Sequence, residues 1–118
     1  MSEDNTYFNV RWKSQIKKGL LEYIILLILQ KKPFYGYDLM EQLKTTIALD
    51  VAEGTLYPLL NRLKKEGLVD SQWKEMKTGI PRKYYHITPK GEEQVELMHG
   101  YLAGLIQSVS SIRESNKK

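Results

Sequence analysis

Thr55, Tyr57, Asn61, Arg62 and Lys65 are the side chains best placed to do chemistry, because all five fall on one side of Gly54–Leu68 if that segment is helical. Its other side is Leu56, Leu59, Leu60 and Leu63, at the three- and four-residue spacing of a buried helix face. Hydroxyl, amide, guanidinium and ammonium groups are the types that reach phosphates and base edges in the major groove of double-stranded DNA. Gly67 stands where a helix-ending glycine belongs. Further on, Lys77, Arg82 and Lys83 surround the turn residues Gly79 and Pro81. The chemistry these groups imply is recognition of a polyanion by a helix and a basic hairpin.

The charge supports that direction. Of the formal +4 on 118 residues, residues 11–18 carry +4 and residues 61–90 carry +5, while the rest of the chain sums to −5. A clustered basic field is the electrostatic footprint of polyanion binding; a solvated basic surface is the plainer alternative. There is no cysteine, which removes disulfides, thiolate catalysis and most zinc or thiol-redox sensing, and fits a reducing cytoplasm. His86 and His99 are isolated and lack metal-ligand spacing, so no metal site is expected. No nucleophile–base set, paired carboxylates or phosphate-cradling glycine loop is present, so the chain is not expected to be an enzyme. The one long apolar run, Leu20–Leu29 with Glu22 inside it, is too short to cross a bilayer and starts too late for a signal peptide. It reads as a core helix, and no membrane partner is expected.

The elements that must position the site follow from periodicity. A first helix spans about Trp12–Lys31, basic and amphipathic in its first half and apolar nearly all round in its second, stopped by Pro33. A second spans about Tyr35–Thr46, with Tyr35, Leu39, Leu43 and Ile47 on one face. The third is the site helix, about Glu53–Glu66, with Pro58 inside it; the missing N–H strands the carbonyl of Gly54 and implies an irregular first turn. Leu68–Glu75 and Arg82–Thr88 have strand composition and form a hairpin. Thr88-Pro89 is an N-cap with proline at the first helical position. The helix that follows, to about Ile112, places Val95, Met98, Leu102, Leu105, Val109 and Ile112 on an unbroken a/d seam, which either packs on its own domain or meets a second copy. A helix of that length outreaches a small domain, which favours the second copy and hence a homodimer. The fold class expected is mainly α with a small β-hairpin: a polar arm over residues 1–10, a DNA-binding domain over 11–88 and a dimerisation helix over 89–118.

Three segments, Tyr35-Gly-Tyr-Asp-Leu39, Gly54-Thr-Leu-Tyr-Pro-Leu-Leu-Asn-Arg-Leu-Lys-Lys-Glu-Gly-Leu-Val69 and Arg82-Lys-Tyr-Tyr-His-Ile-Thr-Pro-Lys-Gly91, together resemble the PadR-like transcriptional regulators over about residues 16–112. The single C-terminal helix is similar to the short subgroup of that family. The resemblance implies a winged helix-turn-helix, a homodimer joined through the last helix, a DNA operator, repression, and release by a small hydrophobic or aromatic effector. It assigns DNA contact to Tyr37, Thr55, Tyr57, Pro58, Arg62, Lys77, Gly79, Arg82 and Lys83, beside Lys65 from the helix face, and makes one of Tyr84 and Tyr85 a core residue. Two departures matter. Ala52 replaces the usual Ser or Thr cap, which weakens capping by about 1 kcal/mol unless Asp50 substitutes. The last helix has no tryptophan to stack on a flat ligand, leaving Tyr101 or Trp12 as replacements.

Several of these residues have a second reading. Arg62 is spaced to pair with Glu66, Tyr57 can be core, and Trp73 on the first hairpin strand is expected in the core. The rival function is a winged helix that binds a protein partner, and the discriminator is charge, since such a face is apolar or mixed while this one is basic.

Overall fold

The computed structural model describes residues 6–117. Eight elements follow in order: α1 (Thr6–Gly19), α2 (Leu21–Lys31), β1 (Phe34–Tyr35), α3 (Gly36–Ile47), α4 (Glu53–Lys65), β2 (Val69–Lys74), β3 (Arg82–Ile87) and α5 (Pro89–Ser115). The core is where the leucine faces of α2, α3 and α4 converge, with Leu21, Ile25, Leu26 and Leu29 meeting Leu39, Leu43, Leu56, Leu60 and Leu63. Val69 and Tyr85 close it from the sheet and Val95 from α5.

The expected first helix is two. It begins at Thr6, so the second half of the expected arm is helical, while residues 1–5 lie outside the described residues. It then breaks at Leu20, whose φ/ψ of −98°/2° leaves the helical basin directly after Gly19, a weak helix former. The break separates α1, which buries nothing, from α2, which buries five residues. The hairpin also gains a third strand. β1 pairs antiparallel with β3 in register Phe34–Tyr85 and Tyr35–Tyr84, giving the order β1-β3-β2. Two residues wedged between a proline and a helix carry no periodicity, so sequence pattern could not show it.

Proline does not break α4. The amides of Thr55 and Leu56 both donate to the Ala52 carbonyl at 3.0 Å, the shared bond common at helix starts, and the α-helix runs on through Pro58. Asp50 does not supply the missing cap: Ala52 is the N-cap with no side-chain bond, and Asp50 faces Lys44 at 4.0 Å. The other end is secured by two backbone bonds, Leu68 N–H to the Leu63 carbonyl at 2.9 Å and Gly67 N–H to the Lys64 carbonyl at 3.0 Å, with Gly67 at φ +80°. This is a Schellman ending, and its left-handed residue favours glycine.

Thr88 then launches α5. Its hydroxyl donates to the Gly67 carbonyl at 2.6 Å and accepts from Gly91 N–H at 3.0 Å, so the end of α4 and the start of α5 share one side chain. Gly91 is buried, and a β-carbon there would fall on the Leu68 carbonyl. Thr88→Ala is therefore expected to cost about 1 kcal/mol as a lost cap. Gly91→Ala should cost more, because backbone rather than a flexible side chain must move. Urea unfolding of both variants checks the ranking, and equal costs would contradict it.

Candidate nucleic-acid interface

Burial of Leu56, Leu59, Leu60 and Leu63 sets the rotation of α4 and leaves Gly54, Thr55, Pro58, Asn61 and Lys65 on its exposed side. Tyr57 lies on the flank and is half-buried. It rests on Gly36, the buried first residue of α3, where a β-carbon would collide with the hydroxyl end of the phenol. Tyr57 thus packs its ring against the core while its edge lines a cleft. Burial pushes its hydroxyl above the ordinary tyrosine range, Glu53 adds to this, and Arg82 pulls the other way. Tyr85 is raised too, first by burial and then by Tyr57. Both remain neutral near pH 7 and keep a proton to donate.

The cleft lies between α4, the N-terminus of α3 and the hairpin. Its volume is about 400 Å³, and Tyr37, Tyr57, Asn61, Trp73, Arg82 and Lys83 stand on its walls. Gly79, at φ +82°, donates its N–H to the Met76 carbonyl at 2.8 Å and closes the hairpin tip, with Lys77 exposed beside it. Tyr37 is exposed at the start of α3. Of the expected tyrosine pair, Tyr85 is the core residue, and Tyr84 packs edge-on against Tyr35 with ring centroids 4.5 Å apart.

Not every expected site residue joins this cleft. Arg62 turns to the other flank, where Nε and Nη2 donate to Glu22 Oε2 of α2 at 3.3 and 3.2 Å. Its acidic partner is Glu22, not Glu66, because the helix packs that flank against α2. Lys65 is exposed in the last turn of α4, beside a groove shared with Glu22, Glu66 and Lys90. Lys64 is tied to β2 by a 2.9 Å bond to Ser71 Oγ, with Asp70 at 4.0 Å.

Trp73 is the main residue that sequence reasoning misplaced. It is 66% exposed, not core. Alternation from Val69 puts Trp73 on the same side of β2 as that core residue, but near the hairpin tip, where it borders an open cleft. Gly36 was also missed. No local pattern marks it, since its role is set by a tyrosine on another helix.

The seam on α5 is split. Val95 is buried and Met98 and Leu102 are half-buried against their own domain, whereas Leu105, Val109 and Ile112 are each at least 45% exposed on the part that projects beyond it. Tyr23 of α2 and His99 of α5 are joined by a 2.8 Å hydrogen bond at the base of that projection.

Three core helices with an outward polar face on α4, flanked by a basic antiparallel hairpin, define a winged helix-turn-helix. The model of the transcriptional regulator PadR-like family matches residues 25–97, and the chain belongs to that family. It is similar to a PadR-like transcription factor from Bacteroides fragilis, at 45% identity and TM-score 0.74, covering 86% of this chain and 98% of that one. A PadR-like regulator from Bacillus cereus is 39% identical with TM-score 0.71 over 83% and 95% of the two chains. A PadR family regulator from Eggerthella lenta is 26% identical with TM-score 0.79 over 94% and 96%. An uncharacterised protein of Lysinibacillus sphaericus is 30% identical over 86% of this chain and 89% of its own. The family and these structural neighbours are transcriptional regulators, not enzymes. Among the described residues no helix is long and apolar enough to cross a membrane.

Gly36→Ala is expected to displace the Tyr57 ring and cost about 1–3 kcal/mol as overpacking. Adding Tyr57→Ala should recover part of that loss, so the two substitutions should be strongly non-additive. Urea unfolding of the single and double variants measures it, and additive costs would mean that the ring does not depend on the bare glycine.

Proposed function

We propose that this chain is a cytoplasmic, homodimeric repressor that binds a double-stranded DNA operator and is released by a small hydrophobic or aromatic effector. The observation that carries the DNA reading is the cleft itself: an exposed helix face with Thr55, Pro58 and Asn61, beside a hairpin bearing Lys77, Arg82 and Lys83, with Tyr37 and Tyr57 between them. In this reading α4 enters a major groove, the hairpin follows the backbone, and Lys65 neutralises phosphate at the far end of α4. Arg62 reaches DNA only by leaving Glu22. A protein-docking surface is disfavoured by the same residues, because residues 76–83 carry Lys77, Arg82 and Lys83 and no acid.

Support for the homodimer comes from α5. Its 27 residues span about 40 Å at 1.5 Å per residue. Along its projecting half, Leu97, Tyr101, Leu105 and Val109 join Ile16 and Tyr23 in an apolar groove of about 700 Å³. Leu97 and Tyr101 are 68% and 74% exposed there. A second copy would bury this face and set two recognition helices about one turn of DNA apart. The same groove offers Tyr101 as the aromatic wall for an effector, whose binding would change the angle between the two winged helices.

Binding of the purified protein to DNA upstream of its own gene, across a salt series, tests the first part. Neutralising six or more phosphates should lower affinity roughly a thousandfold between 50 and 200 mM salt. Flat salt dependence or no sequence preference would overturn the reading. Val109→Glu tests the second part. It should give a monomer by light scattering whose operator affinity falls by about 10²-fold or more, as the linked second half-site is lost. An intact dimer, or a monomer that binds as tightly, would contradict it.

A further inference from the structure

Trp73 is an indole held in solvent beside a cation. Val69, Ser71 and Trp73 alternate onto one side of β2, and Lys83 and Tyr85 face them from β3 in the registered pairs Trp73–Lys83 and Ser71–Tyr85. Val69 and Tyr85 end in the core, while Trp73, nearer the hairpin tip, stays 66% exposed. Lys83 Nζ stands 5.5 Å from the centre of its ring. The other side of the hairpin makes an instructive contrast. There Lys74 Nζ sits 4.3 Å over Tyr84, but Tyr84 is already packed against Tyr35, so that aromatic is satisfied within the protein. Trp73 meets a cation and keeps most of its surface in water, and together the two form one wall of the cleft that Tyr57 and Asn61 border from α4.

We propose that Trp73 and Lys83 form a clamp for one deoxyribose-phosphate unit of bound DNA, the indole face lying on the sugar and the ammonium on the adjoining phosphate. The inference rests on the DNA-binding reading of the cleft. Its chemistry is specific to that occupant. A deoxyribose presents an apolar C–H surface with an anion a few ångströms away, and the wall presents an apolar ring with a cation at the matching place. The hydroxyls of Tyr37 and Tyr57 and the Arg82 guanidinium, which line the same cleft, are further donors to phosphate oxygens. The clamp touches backbone only, so it fixes register and affinity and carries no base preference.

The chain has two tryptophans, Trp12 and Trp73, so Trp12→Phe leaves Trp73 as the sole indole reporter. Anisotropy of labelled operator DNA should show this variant still binding, with Trp73 emission quenched or shifted in step with binding. Trp73→Ala should weaken binding about tenfold while leaving the slope of log affinity against log salt unchanged, because no charge is removed. Lys83→Ala should weaken binding and reduce that slope by about one. Trp73→Phe should recover most of the affinity, and it decides the matter if Trp73→Ala proves unstable. Unchanged emission in a complex that anisotropy shows to be formed would overturn the clamp while leaving DNA binding intact, as would a Trp73→Ala variant that binds like its parent. Absence of any operator binding by the parent chain would instead overturn the wider reading, and the clamp with it.

Discussion

The rotation of α4 about its own axis is the constraint on which the rest of the molecule depends. Leu56, Leu60 and Leu63 are buried completely or nearly so, and they lock against Ile25, Leu26 and Leu29 of α2 and against Leu39 and Leu43 of α3. Removing one such leucine from a packed core costs about 2–5 kcal/mol, a large share of what a domain of this size possesses. No surface contact competes on that scale. The single exposed ion pair from Arg62 to Glu22 is worth at most about 1 kcal/mol. The outward face of α4 is thus fixed by what lies behind it, and Thr55, Pro58 and Asn61 are presented as a rigid row.

The hairpin is positioned by the same core through different atoms. Tyr85 is buried opposite Phe34, so β3 is clamped between β1 and β2, and the cations at Arg82 and Lys83 inherit their places from that clamp. Tyr57 crosses from α4 to the N-terminus of α3 over Gly36, which joins the two halves of the cleft by a contact in which an added β-carbon would have to push the phenol aside. The cleft is shaped by buried groups at its back and charged only at its rim. That division keeps the cations hydrated and free to exchange water for another anion.

Much of this was legible in the chain. The leucine spacing of α4, the glycine at its end, the Thr88-Pro89 start of α5 and the strand composition on either side of Gly79 each depend on local physics, and each element stands where that physics puts it. What local pattern could not reach was tertiary. Arg62 chose Glu22 over Glu66 because α2 lies beside it, and Trp73 borders an open cleft instead of entering the core. β1 escaped because two residues have no period, and the break at Leu20 because an apolar run hides a one-residue departure from helical geometry.

Helix α2 stands between α4 and α5 and is bonded to both. Its Glu22 holds Arg62 of α4, and the next residue, Tyr23, holds His99 of α5 at 2.8 Å. Leu21, Ile25, Leu26 and Leu29 are buried along its length and tie it into the core. The α1 helix buries nothing and leans on the domain through weaker links, the break at Leu20 and a 3.4 Å bond from Lys17 Nζ to the Ala48 carbonyl. Burial thus joins α2, α3, α4 and the start of α5 in one core, while Phe8, Trp12 and Ile16 of α1 stay exposed outside it.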